Sequence, residues 1–221
     1  MVLPIEELEE ELNIEWDESA LAYVALVAIP GIAKAGEQIA HEVVMQALES
    51  AITASQANMI SLGTQLQQGT ITLAEWQTAM MQQIKTLHTM SAAVARGGWA
   101  QMSASDWGFV GSEIKKQYDF LKGFAEEIQA GFPLRGRFLE RIKLYSRAGR
   151  TTASQLFRRL NEDGGRTEER RVLGIADHCS DSAGRPGCLE QAAEGWQPIG
   201  TLAPIGGATC WQNCRCHFEY R

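Results

Sequence analysis

Cysteine is missing from everything before position 179, and the five cysteines of this chain all follow: Cys179, Cys188, Cys210, Cys214 and Cys216. The larger part of the molecule therefore has no disulfide and no thiolate metal site. An odd number of cysteines cannot all pair within one chain, so a complete disulfide framework is excluded as well. Basic residues are missing from the beginning, where Glu6, Glu7, Glu9, Glu10, Glu11, Glu15, Asp17 and Glu18 stand without compensation. That start is the opposite of a secretory signal, which needs positive charge ahead of its apolar core. Long apolar runs are missing too. Ala20 to Ala33 is mostly apolar, but Pro30-Gly31 interrupts it and it is too short to span a bilayer. It reads as a buried helix ending at Pro30. With no signal and no stable membrane span, a reducing cytoplasm is the expected folding compartment, and this favours metal over disulfide for the clustered cysteines.

Enzyme signatures are equally scarce. There is no P-loop, no Gly-x-Ser-x-Gly elbow and no His-Glu-x-x-His pair. Of the four histidines, His41 and His88 fall in expected helices with no nucleophile nearby in sequence, while His178 and His217 accompany the cysteines. Glu126-Glu127 and Glu168-Glu169 are adjacent acids on surfaces expected to be solvated, a weak basis for acid/base work. Arg215 beside Cys214 is a thin warrant for an activated thiol. No catalytic residue is expected.

The composition that remains is ordinary for a globular chain: 221 residues, 45% hydrophobic and 21% charged, enough for one large or two small domains. A net charge of −7 argues against a surface that is all nucleic-acid grip. The charge is unevenly placed, however. The stretch holding Arg135, Arg137, Arg141, Lys143, Arg147, Arg150, Arg158, Arg159, Arg166, Arg170 and Arg171 faces only five acids. An acidic arm and a basic face would meet different partners.

Helical periodicity dominates the first two thirds. Leu21, Val24, Ala25 and Ala28 make one face, and Ile39, Val43, Ala47 and Ala51 continue at helical spacing up to a stop at Gln68-Gly69. Thr72-Leu-Ala-Glu75 is a capping box, from which Trp76, Met80, Ile84, Leu87, Ser91 and Val94 run to Gly97-Gly98. Another helix begins near Ser105-Asp106, carries Trp107, Val110, Ile114, Tyr118, Leu121, Phe124 and Ile128, and closes at Gly131-Phe132-Pro133. Such stripes are packing seams, and short connections make neighbouring helices antiparallel. A last helix is expected from about Leu134 to Leu160, with Phe138, Ile142, Tyr145 and Leu156 inward and its arginines on the outer face. That face is either solvated or turned to phosphate or an acidic partner, and its candidates are Arg135, Arg137, Arg141, Lys143, Arg147 and Arg150.

Asn161-Glu-Asp-Gly-Gly165 is a breaker and marks a boundary. The expected organisation is an acidic arm over 1–20, a helical domain over 21–163 and a cysteine-rich module over 164–221. In fold class this is mainly α, an N-terminal body of antiparallel helices with a small C-terminal α+β or β module. The ending from Cys214 to Arg221 alternates, so a strand puts Cys214, Cys216, Phe218 and Tyr220 on one side and Arg215, His217 and Glu219 on the other. His217 then points away from the thiols. Cys179, Cys188, Cys210 and one or both of Cys214 and Cys216 offer four thiolates, with His178 an alternative ligand or a loop-orienting residue. Four protein ligands leave no open position, so such a site is structural, with zinc its natural ion. One or two disulfides with a spare thiol remain the competing reading.

These residues carry a family resemblance. Arg171-Val-Leu-Gly-Ile-Ala-Asp-His178-Cys179, then Cys188, Gly195-Trp196 and Pro198, then Cys210-x-x-Asn213-Cys214-Arg-Cys216, resembles the phage Mu F-like head morphogenesis family of minor head proteins. Ile71-Thr-Leu-Ala-Glu-Trp76, Ala95-Arg-Gly-Gly98, Asp106-Trp-Gly108, Gln117-Tyr118 and Phe124-Ala-Glu-Glu-Ile128 look like tailed-phage members of it, so the likeness covers most of Ile71 to Arg221. The first cysteine pair of the family is often tightly spaced, whereas eight residues separate Cys179 from Cys188 here, which makes Cys188 the weakest expected ligand. Position 210 is often histidine in the family, as exchangeable metal ligands would be.

The resemblance implies a virion protein of the head or neck, made in the host bacterial cytoplasm. It would be associated with the portal and other head proteins, oligomeric in the particle, and active in head assembly or delivery of packaged DNA. Two alternatives belong to other classes. Modules like the C-terminal one occur joined to toxin or transferase enzymes, although with the sequence closing at Arg221 no appended domain is expected. A membrane-active ejection protein would instead use Ala20 to Ala33.

Overall fold

The computed structural model describes residues 14–17, 22–25, 38–39, 41–174, 178–182 and 184–221. It opens on an antiparallel sheet in which β1 (Ile14–Asp17) pairs with β2 (Ala22–Ala25), and β2 pairs with β3 (Gln38–Ile39). The helix expected from Leu21 onward is therefore replaced by a strand at Val24 and Ala25, and Ile39 also lies in a strand. An apolar run this short fits either element, and the aromatic and β-branched pair Tyr23-Val24 suits the pleated one. Leu21, Ala28 and the Pro30-Gly31 break lie outside the described residues. So does most of the acidic arm, of which Glu15 and Asp17 fall on β1.

Four long helices follow: α1 (His41–Gln67), α2 (Leu73–Arg96), α3 (Ala104–Gln129) and α4 (Arg137–Asp163). Capping boxes set the starts of α2 and α3. Thr72 Oγ1 accepts the Glu75 N–H at 3.2 Å while the Glu75 carboxylate accepts the Thr72 N–H at 2.7 Å. Ser103 and Asp106 repeat the device for α3, two residues earlier than Ser105 suggests. The chain leaves α2 through Gly97 in the left-handed conformation.

The stripes are buried as a seam. Leu48, Ile52 and Met59 of α1 meet Trp76, Met80, Ile84 and Leu87 of α2, and Phe138, Ile142, Ala153 and Leu156 of α4. Trp76 is completely buried and lies edge-on to Phe124 of α3, with ring centres 5.8 Å apart. Trp107 departs from its stripe: it is exposed and stacks on Trp99, 5.3 Å away. Among the described residues no helix is long and apolar enough to cross a membrane.

The arginines of α4 do not all take the outer face. Arg150 and Arg158 are buried, because each meets a carboxylate: Arg150 pairs with Glu49 of α1, and Arg158 Nε lies 2.7 Å from the carboxylate of Glu169. The guanidinium of Arg141 lies over the Phe124 ring, 3.9 Å from its centre, and pairs with Glu127.

Beyond Gly164 the chain forms a small second layer. Here β4 (Glu168–Val172) is the central strand, with β5 (Gln197–Pro198) and β6 (His217–Tyr220) antiparallel on either side. A short helix, α5 (Cys188–Ala193), and a 3-10 turn over Trp211–Asn213 complete it. The molecule is thus mainly helical with a small C-terminal α+β module. That module has its own apolar cluster of Leu202, Ile205, Ala208 and Phe218 around Cys188, Cys214 and Cys216.

Candidate metal centre

Three pieces of backbone bring the thiols together. The loop after β4 carries His178 and Cys179, and Cys179 is fixed by its carbonyl, which accepts the N–H of Cys188 at 2.8 Å as α5 begins. Gly174 permits that loop to lie against the chain before β6, since a Cβ there would run into the carbonyl of Arg215. The third piece is the turn from Cys210 to Cys214, closed by Asn213 N–H to Cys210 carbonyl at 3.0 Å and Cys214 N–H to Trp211 carbonyl at 3.2 Å. Trp211 adopts φ 50°, a left-handed conformation that costs a non-glycine residue roughly 1–2 kcal/mol. The guanidinium of Arg185 covers its ring at 3.5 Å.

The expected strand from Cys214 forms only over His217–Tyr220, and the alternation of burial runs from Cys214 to Phe218, with Glu219 and Tyr220 both half-buried. Cys214, Cys216 and Phe218 are buried while Arg215 and His217 are exposed, so His217 is turned away from the cluster. All five cysteines are free thiols. Cys188, expected to be the weakest ligand, is the centre of the group: its Sγ lies 3.3 Å from Cys210 Sγ and 3.7 Å from Cys214 Sγ. Cys179, Cys188 and Cys210 have their sulfurs within 4.8 Å of one another, and so do Cys188, Cys214 and Cys216. His178 Nδ1 lies 3.9 Å from Cys216 Sγ, at the edge of the second group.

These separations fit a shared ion. Four thiolates at about 2.3 Å from a tetrahedral zinc stand about 3.8 Å apart, whereas a disulfide needs about 2.05 Å. The surroundings favour the thiolate at two of the five positions, Cys214 and Cys179. The pKa of Cys214 is lowered to about 4, first by the Cys216 thiol donating to it, with burial opposing, then by the Cys216 N–H and the charge of Arg171. Burial opposes the Cys179 thiolate, but the N–H groups of Cys188 and Cys210 and the thiols of those residues outweigh it, and its pKa falls. Burial pushes Cys188 and Cys210 up. Cys216 is pushed up chiefly by its hydrogen bond to Cys214. The five sulfurs thus differ sharply in the absence of an ion, and a bound cation would deprotonate all that ligate it.

Arg171 is the residue that sequence patterning misses. It is buried on β4, with Nη1 3.5 Å from Cys214 Sγ and 3.8 Å from Cys188 Sγ, and its other nitrogen reaches Gln191 and the Ala203 carbonyl. Its neighbour on the same strand face, Glu169, is fully buried too, and burial raises its pKa against the pull of Arg158. An inward Glu and Arg on a short strand contradict binary patterning, so only the three-dimensional partners reveal them.

The basic candidates of α4 do not form one free surface. Arg150 is buried on Glu49, Arg141 is held by Glu127, Lys143 pairs with Glu140 at 2.6 Å and Arg147 donates to the Asn213 side chain. Arg135 and Arg137 are exposed. No family model, curated protein or solved structure matches the chain.

Proposed function

We propose that this chain is a non-enzymatic structural protein of a tailed-phage head or neck, associated with the portal and oligomeric there, acting in head assembly or DNA delivery. The observation that carries the reading is the Asn213-Cys214-Arg215-Cys216 ending with its upstream His178-Cys179, whose thiols lie together in a cluster able to hold a metal ion. Zinc is the proposed ion, because it takes thiolate and imidazole without redox change, and its role is to staple a module whose own apolar core is small. Arg135 and Arg137 are the proposed contacts to DNA or an acidic partner, being the members of the basic set that stand exposed.

Mass spectrometry of purified particles tests the reading directly. The protein is expected among the head and neck components at a copy number set by the vertex. Its presence only in the lysate, with particles lacking it, would overturn the proposal.

A further inference from the structure

The proposed zinc site accounts for four donors, and the cluster has six. Its geometry is not one tetrahedron of sulfurs. The described residues give two triangles, Cys179–Cys188–Cys210 and Cys188–Cys214–Cys216, that share one member, Cys188. From this shared vertex we infer that the centre binds two divalent ions of the zinc and cadmium class, bridged by the Cys188 thiolate.

Each triangle supplies a three-sulfur face. The Cys188–Cys214–Cys216 face is buried throughout, and the imidazole at its edge, His178 with Nδ1 3.9 Å from Cys216 Sγ, is the fourth ligand the inference assigns to it. Its ion is enclosed and held tightly. The Cys179–Cys188–Cys210 face has two half-exposed members. Its fourth position is left to water or an added ligand, which makes this ion the exchangeable one.

Charge favours the pair. A single divalent ion on four thiolates keeps two negative charges in a largely desolvated site, and a fifth thiol remains without a role. Two divalent ions on five thiolates leave one negative charge. Arg171, 2% exposed and with Nη1 against both Cys188 and Cys214, supplies the one positive charge that neutralises it.

The inference rests on the reading that the cluster is a metal centre, and the two fail differently. The full-length chain, stripped and kept reduced, is titrated with cadmium and followed by native mass spectrometry and by 113Cd NMR. Two bound ions and two resonances are expected, one shifted as a site of thiolates plus imidazole and one as a site of thiolates plus oxygen. Saturation at one ion overturns the bridged pair and leaves the single-ion centre standing. No bound ion overturns both. The variants provide a second measure: Cys179→Ser should lose the exchangeable ion alone, whereas Cys188→Ser should disturb both resonances. Loss of the same ion in both variants would also count against the bridge.

Discussion

At His88 the ring lies between α2 and α4 with Nδ1 2.7 Å from Thr152 Oγ1, and burial lowers its pKa to about 4. In the unfolded chain a histidine takes its proton near 6.5. Between these values the unfolded state binds more protons, so stability rises with pH across the window and is lost as pH falls from about 6.5 to about 4. The loss is on the order of 3 kcal/mol and stops growing once the folded form is protonated as well. Urea unfolding at pH 7 and at pH 4.5 should show it, and His88→Gln should flatten the difference; an unchanged slope in that variant would refute the assignment. The metal centre is common to both chains, so its own sensitivity to acid cancels in the comparison. Within the centre, Cys216→Ser should cost more metal than His217→Ala, because Cys216 is buried in the cluster and His217 points outward. Equal losses would mean that the terminal strand does not alternate in solution. Gly174→Ala should also weaken metal retention although it removes no ligand, since its Cβ would displace Arg215 and the cysteines on either side of it.

At the scale of elements, α2 and α4 approach closely at Gly149. A Cβ there would stand 2.9 Å from Leu87 Cγ and 2.9 Å from Ser91 Oγ. Gly149→Ala should therefore destabilise by about 1–3 kcal/mol through overpacking, despite the better helix propensity of alanine. A thermal midpoint equal to or above that of the parent would show that the helices can part without cost. This contact is invisible in the sequence, where a glycine inside a helix reads only as a weak spot. What could be read there is what repeats along the chain. The stripe from Trp76 to Leu87 and the inward Phe138, Ile142, Tyr145 and Leu156 follow from 3.6-residue periodicity, and the Thr72 cap follows from its capping box, whereas the cap of α3 falls at Ser103 and not at the expected Ser105. The thiol cluster was legible because cysteine is confined to one segment and few other structures explain that. The strand at Ala22–Ala25 was not, because four residues carry too little period to tell a strand from a turn of helix. Arg158, Glu169 and Arg171 were not, because charged side chains go inside only where partners distant in sequence meet them.

Over the whole molecule, α4 is the element to which much of the rest is tied by charge. Arg150 reaches α1 at Glu49, Arg141 reaches α3 at Glu127, Arg159 reaches the start of α3 at Asp106, and Arg158 reaches β4 at Glu169. Arg147 and Arg158 also hold the C-terminal module directly, through the Asn213 side chain and the Leu202 carbonyl, the latter at 3.1 Å. Basic charge that patterning assigns to a surface thus joins two apolar clusters, the helical one ending at Leu160 and the one around the cysteines. A chain cut after Gly164 should keep the helical cluster whole and expose Arg158 to water, so cooperative unfolding and strong helical circular dichroism are expected. Glu169→Ala in the full chain has a different consequence. It leaves Arg158 buried beside the module without its carboxylate, at a cost of about 3–5 kcal/mol unless the module lifts away. Undocking is the cheaper response, so the helical signal should persist while the thiols become faster to react with an alkylating reagent, and metal binding should be retained. Little helix in the shortened chain would show that the two clusters form one cooperative core. Unchanged thiol reactivity in Glu169→Ala would show that the buried pair does not hold the module to α4.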